Sequence, residues 1–174
     1  MITSAIRRGL LANFPAGTPL AIVAPEGAFD GLAAERDDAA TSLHALATPA
    51  DLPATAPHVI VEGLDAVEDP VALLAAVRAA APQARLFALV ANAAHLPALA
   101  AYFNGGAIAA VRPLVRADVE RALADAGWNQ IALNPIAEDD PFVTQIGGLS
   151  FTLDDTETRE RVRPAAFLAI ADSQ

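Results

Sequence analysis

The sequence predicts an α/β fold in which helices pack on a parallel sheet. Three observations carry this. Apolar runs of strand length recur at residues 20–24, 58–62 and 86–91, separated by stretches of helical spacing. Hydrophobic side chains make up 54% of the 174 residues but aromatics only 5%, so the core comes from Leu, Val, Ile, Ala and seven Phe in thin layers, which suits helices packed on a sheet. Residues 58–91 read as strand, proline-capped helix and strand. Such a βαβ unit has a right-handed crossover and a binding crevice at the carboxyl ends of its strands.

Ile2, Ile6, Leu10 and Leu11 recur at helical spacing and predict an amphipathic helix within residues 1–13, stopped by Asn13 and Pro15 ahead of the buried strand Leu20-Ala21-Ile22-Val23-Ala24. A helix over 28–38 and a short strand over 41–46 follow. Pro49, Pro53 and Pro57 make 49–57 an extended loop leading into the strand 58–62. Asp69 then stands where an N-cap belongs and Pro70 at the first helical position, with Val71, Leu74, Val77, Arg78 and Ala81 continuing at helical spacing to Pro82. The unbroken apolarity of 86–91 favours a central strand. Helices are expected at 95–103 and at 116–126, the latter ended by Gly127, then a strand at 130–136, a strand-like piece at 149–153 and a last strand at 165–171. No repeat or linker interrupts the chain, so one domain over residues 1–174 is expected.

Composition excludes several function classes. There are 21 acidic residues against 11 basic ones, giving a net charge of −10, and no lysine. Arg7-Arg8 and the Arg159/Arg161/Arg163 cluster are too few and too diluted to neutralise nucleic-acid phosphates, and an acidic membrane repels such a chain. Without cysteine there is no disulfide, thiol nucleophile or thiolate metal site. His44, His58 and His95 have no ligand spacing, so no metal is expected; Glu138-Asp139-Asp140 and Asp154-Asp155 read as solvated acidic loops. The serines lie in no Gly-x-Ser-x-Gly setting and a P-loop is absent. No apolar run has the length of a signal sequence or a membrane span, and a cytoplasmic protein is expected.

Several segments in order carry a resemblance. They are the strand His58-Val59-Ile60-Val61-Glu62 ending in an acid, Val67-Glu68-Asp69-Pro70 opening a helix, and the turn Val90-Ala91-Asn92-Ala93-Ala94-His95-Leu96. Ala126-Gly127-Trp128 after a helix and the terminal Phe167-Leu168-Ala169-Ile170-Ala171 complete the set. From about residue 53 to 136 the chain resembles the C-terminal half of class I S-adenosylmethionine-dependent methyltransferases. The resemblance implies a Rossmann-like three-layer sandwich, a mostly parallel sheet with helices on both faces and one antiparallel strand, the last, near its edge.

At the donor side the match stops. The family closes its first strand with an acid and a Gly-rich loop, whose backbone amides lie close to the cofactor's carboxylate. This chain has Ala24-Pro25-Glu26-Gly27-Ala28-Phe29-Asp30. Gly27 is the only glycine of that turn, Pro25 removes an amide donor and Glu26 adds a negative charge. The 33 residues between Ala24 and His58 are too few for the family's elements there, so one βα element is missing. Thr48-Pro49-Ala50-Asp51-Leu52-Pro53 resembles the adenine-side stretch with its first acid replaced. No general base carries over either, since Asp65-Ala66 stands where some members have Glu-His, and no catalytic residue is assigned.

The leading expectation is therefore a degenerate methyltransferase-like domain, a pseudoenzyme without a cofactor that binds a protein partner or positions an enzyme. A first alternative is an active methyltransferase of a small molecule, holding S-adenosylmethionine through Gly27, Asp51 and Glu62 and its acceptor through Asn92, His95, Tyr102 and Asn104. A second is a homo-oligomeric structural module that exposes the apolar face of the first helix.

Overall fold

The computed structural model describes residues 2–35, 40–103, 105–106, 112–137, 143–146, 149–152 and 161–173. In chain order the elements are α1 Ser4–Leu11, β1 Leu20–Ala24, α2 Asp30–Glu35, β2 Thr41–Ala45, β3 His58–Glu62, α3 Pro70–Ala80 and β4 Arg85–Ala91. They continue as α4 Leu96–Phe103, α5 Arg116–Asp125, β5 Asn129–Ala137, β6 Val143–Ile146, β7 Leu149–Thr152 and β8 Pro164–Asp172. Six strands form one sheet in the order β2-β1-β3-β4-β8-β5. β1 runs parallel to β2 and β3, and β3 parallel to β4. β8 is inserted antiparallel between β4 and β5, one place in from the edge, as expected. Of the strand-like piece expected at 149–153, Leu149–Thr152 pairs antiparallel with β6 in a separate two-stranded sheet, and residue 153 lies outside the described residues.

Each face of the sheet has its own core, because side chains alternate along every strand. Ala21 and Val23 of β1, Val59 and Val61 of β3, and Leu86, Ala88 and Val90 of β4 meet Leu73, Leu74 and Val77 of α3 and Val119 and Leu123 of α5. Leu20, Ile22, Ala24 and Ile60 point the other way, onto Leu10 and Leu11 of α1 and Leu32 of α2. Fully burying each such Leu, Val or Ile contributes about 1.5–3 kcal/mol.

The helix ends follow the local chemistry. The Asp69 carboxylate accepts from the Ala72 amide at 2.9 Å, ahead of Pro70. At the end of α5 the Trp128 amide donates to Leu123 O at 3.0 Å and the Gly127 amide to Ala124 O at 2.9 Å, a Schellman closure that needs the left-handed φ of +83° at Gly127. Trp128 is buried, and its Nε1–H donates to Leu74 O at 3.1 Å, tying α5 to α3.

Two expectations are adjusted. The apolar side of α1 is not an exposed face: Leu10 and Leu11 are buried, and Ile2 and Ile6 pack against the same core. The 49–57 loop is not extended throughout, since Pro49–Asp51 forms a 3-10 turn, compatible with the fixed φ of Pro49. Between β1 and β3 the described elements are α2, β2 and that turn. β2 is consequently the sheet's edge.

Candidate functional site

From β1 the chain crosses to β2 on one side, and β3 lies on the other, so the order of the sheet reverses between β1 and β3. In open α/β sheets the ligand crevice opens beyond the carboxyl ends of the strands at this reversal. The residues standing there are Pro25, Glu26 and Gly27 after β1, Leu46 after β2, and Glu62 and Gly63 at the end of β3.

Gly63 is the point of closest approach. Its φ is +94°, and a Cβ placed on it would stand 3.0 Å from Pro25 Cγ and 3.0 Å from Leu46 Cδ1. The three loops that follow β1, β2 and β3 therefore pack directly on one another, with the Pro25 ring and the Leu46 side chain against the bare Cα of Gly63. The Gly63 carbonyl accepts from the Ala66 amide at 2.9 Å, turning the chain into the short 3-10 segment Leu64–Ala66. Burial there pushes the Asp65 carboxyl above its ordinary range, partly offset by a backbone hydrogen bond.

Beside this closure Glu62 is buried and bound by Arg7 of α1. Arg7 Nε donates to Glu62 Oε2 at 2.8 Å and Nη2 to Oε1 at 2.5 Å, a fork that engages both carboxylate oxygens. The hydrogen bond to Glu62 raises the Arg7 guanidinium further above its already high range, and its Cζ lies 5.7 Å from the centre of the Phe29 ring. Arg7 was not singled out in the sequence. The signal was its spacing: it precedes Leu10 and Leu11 by three and four residues and so shares their inward face.

Gly27 lies exposed in the turn after β1 with φ +76°, where a Cβ would meet nothing within 4 Å. Asp51 is exposed on the 49–51 turn, next to the buried Leu52. No hydrogen bond among the described residues joins Gly27, Asp51 and Glu62 to one another.

On the far side of β3, Asn92 is buried and its side chain is spent on the fold. Nδ2 donates to Arg161 O at 3.0 Å and to Pro164 O at 2.9 Å, and Oδ1 accepts from the Ala94 amide at 3.0 Å. His95 is buried at the start of α4, whereas Tyr102 at its end is 48% exposed and stacks edge-on with Phe103. Asn104 lies outside the described residues, as do Glu138 to Asp140 and Asp154 and Asp155. Among the described residues no three His, Asp or Glu gather as a metal site, and no helix is long and apolar enough to cross a membrane.

Solved structures share this arrangement. An S-adenosylmethionine-dependent methyltransferase from Archaeoglobus fulgidus superposes with a TM-score of 0.67 at 11% identity, covering 98% of this chain and 94% of that one. The chain has the fold of these methyltransferases. A chain from the complex of the Haloferax volcanii Trm112 methyltransferase activator with its proposed methyltransferase matches at TM-score 0.59 and 20% identity, over 96% of this chain and 88% of that one. A methyltransferase from Thermotoga maritima matches at TM-score 0.59 and 10% identity, over 96% and 87%. No family model and no curated protein matches the sequence. Within the methyltransferase fold, the crevice between β1 and β3 is thus the place where Pro25, Leu46, Gly63 and the Arg7–Glu62 pair meet.

Proposed function

We propose that this chain is a methyltransferase-fold domain that does not bind S-adenosylmethionine at ordinary strength and acts by holding a protein partner or positioning an enzyme. The observation that carries this reading is the packing of Pro25 and Leu46 onto Gly63 at the reversal of strand order. A donor nucleotide needs free backbone amides and open space at this place. Pro25 has no amide to offer, and the space beside Gly63 is taken. Glu62, the acid at the end of β3, already accepts both Arg7 donors. These residues do not fit the cofactor. Each charge-assisted hydrogen bond a ligand forgoes costs about 1.5–3 kcal/mol, so losing two weakens binding by about two orders of magnitude or more. The partner-holding part of the reading draws on the Haloferax volcanii complex, in which a chain of this fold is seen together with the Trm112 activator.

Isothermal titration of the chain with S-adenosylmethionine tests this. No measurable heat is expected at micromolar donor. Saturable micromolar binding overturns the reading in favour of an active methyltransferase, in which Gly27, Asp51 and Glu62 hold the donor and Asn92, His95, Tyr102 and Asn104 face a small acceptor.

A further inference from the structure

Most arginines of this acidic chain have a partner within it. Arg7, Arg8, Arg85, Arg116 and Arg121 face Glu62, Glu35, Asp172, Glu120 and Asp118, Arg78 donates to Ser173 O at 3.1 Å, and Arg163 is also engaged. Among the described residues, the guanidinium groups of Arg112 and Arg161 have no such partner, and both residues are exposed. The fold brings these two to one place. The Arg112 amide donates to Asp65 O at 3.0 Å, the Ala93 amide to Leu114 O at 2.9 Å, and Asn92 Nδ2 to Arg161 O at 3.0 Å. Both arginine-bearing segments therefore abut the turn that carries β4 into α4.

The same end of the sheet holds most of the exposed apolar surface. Of the four exposed large hydrophobic side chains among the described residues, three are here: Val115 at 38%, Tyr102 at 48% and Phe103 at 62%. Val115 follows Leu114, which is bound to the turn, and Tyr102 and Phe103 close α4 with their rings edge-on at 5.6 Å. α4 has no charged side chain along its length, which at 1.5 Å per residue is about 12 Å. A surface helix ordinarily carries charge on its outer side. Here the charge comes from the arginines beside its first turn.

We propose that this face docks an acidic, apolar segment of a foreign protein, with carboxylates on Arg112 and Arg161 and apolar side chains on Val115, Tyr102 and Phe103. The proposal rests on the partner-holding reading above and adds the surface and the chemistry of the partner. Charge complementarity selects the occupant: two cations without an internal counter-charge attract carboxylates, while the chain's net charge of −10 repels an acidic segment from the rest of the surface. Arginine and aromatic side chains together are the composition of protein interfaces. A second copy fits less well, because a two-fold contact on this face brings the arginines of both copies into one interface, like charge with like. A nucleic acid requires more cations than these two.

Fluorescence anisotropy of the full chain with a labelled amphipathic peptide of Glu, Leu and Phe tests the proposal, beside the same peptide with Lys in place of Glu. Saturable binding of the acidic peptide is expected, weakening as salt is raised, with the lysine peptide bound about tenfold less tightly or worse. The backbone amides of Ala93, Arg112 and Val115 are expected to shift in NMR spectra on binding. Arg112→Glu combined with Arg161→Glu is expected to weaken binding about tenfold or more, and Phe103→Ser to weaken it without changing its salt dependence. The substituted side chains are exposed, so unchanged melting temperatures are expected of both variants. The proposal is overturned by an acidic peptide that does not bind, by equal binding of the lysine peptide, or by undiminished binding to the charge-reversed variant. Sedimentation showing a dimer that the same substitutions dissolve also overturns it, in favour of a second copy. Peptide binding that maps to another face overturns this surface and leaves the partner-holding reading intact, and titration with S-adenosylmethionine tests the cofactor part of that reading separately.

Discussion

Arg7 on α1 forks both oxygens of the Glu62 carboxylate at the end of β3, joining residues 55 positions apart across the mouth of the crevice. The side chains retain 18% and 5% of their exposure, so the pair is largely removed from water. Taking away one member of such a pair leaves an uncompensated charge, at a cost of about 3–5 kcal/mol, whereas replacing both by apolar groups of similar size is close to neutral. Arg7→Met and Glu62→Leu are therefore each expected to destabilise the fold, and the double variant to recover most of the loss. Urea unfolding of the four proteins reads this as a coupling energy. Additive single effects would mean that the pair is solvated in solution.

Gly63→Ala meets two obstacles. The left-handed φ of +94° costs a residue bearing a Cβ about 1–2 kcal/mol, and the added methyl stands 3.0 Å from both Pro25 Cγ and Leu46 Cδ1. A loss of about 2 kcal/mol or more is expected. Adding Pro25→Ala is expected to return the steric part but not the backbone part. If Gly63→Ala unfolds like the wild type, the loops after β1, β2 and β3 are not in contact and the crevice is open.

This contact also marks where reading the sequence stops. The βαβ unit was legible because Asp69-Pro70 caps a helix wherever it occurs and 86–91 is apolar throughout, both local properties. That few elements fit between β1 and β3 was legible by counting the 33 residues between Ala24 and His58. The pairing of Pro25 with Gly63 was not, because it joins loops 38 positions apart that only the sheet order brings together. Asn92 was read as a crevice residue from its place after β4, and its role in tying that turn to Arg161 and Pro164 depends on β8 returning antiparallel beside β4.

Stability is expected to depend on pH through two groups with opposite signs. His58 packs its ring against Phe14 and Phe87 at 5.6 and 5.9 Å, and burial, then the charge of Arg85, holds its pKa below the ordinary 6.5. The unfolded chain takes up that proton first. Stability from this group is therefore full above about pH 6.5 and is lost as the pH falls toward the folded-state value. Asp65 works the other way: its folded pKa is raised above 3.8 by burial, so stability is lost as the pH rises through that folded value. His58→Phe is expected to flatten the melting temperature below pH 6.5, and Asp65→Asn to raise it at pH 7. A wild-type melting temperature that does not fall between pH 7 and 5 counts against the His58 assignment.

The single tryptophan provides a direct probe of the α3–α5 junction. Trp128 is 2% exposed and its indole N–H is bound to Leu74 O. Blue-shifted emission in the folded chain, resistant to acrylamide and shifting red on unfolding, is expected. Trp128→Phe loses the hydrogen bond and part of the packing, for a cost of about 1–3 kcal/mol in urea unfolding. Emission at the wavelength of solvated indole in the folded chain would place Trp128 outside the core.

Asn92 separates an architectural role from an acceptor-binding one. Its amide nitrogen serves two carbonyls, Arg161 O and Pro164 O, and its oxygen serves the Ala94 amide. Truncation by Asn92→Ala strands the buried Pro164 carbonyl and gives up the part-buried bonds to Arg161 O and the Ala94 amide, so a loss of about 1–3 kcal/mol or more is expected. Asn92→Asp keeps an acceptor for Ala94 but faces a carboxylate against two carbonyl oxygens, and is expected to cost at least as much at neutral pH. A residue held for a small acceptor would behave otherwise, because polar groups poised for a ligand contribute little to the stability of the free protein. Thermal melts of the two variants beside the wild type decide between the roles, and unchanged melting temperatures would return Asn92 to the crevice as a binding residue.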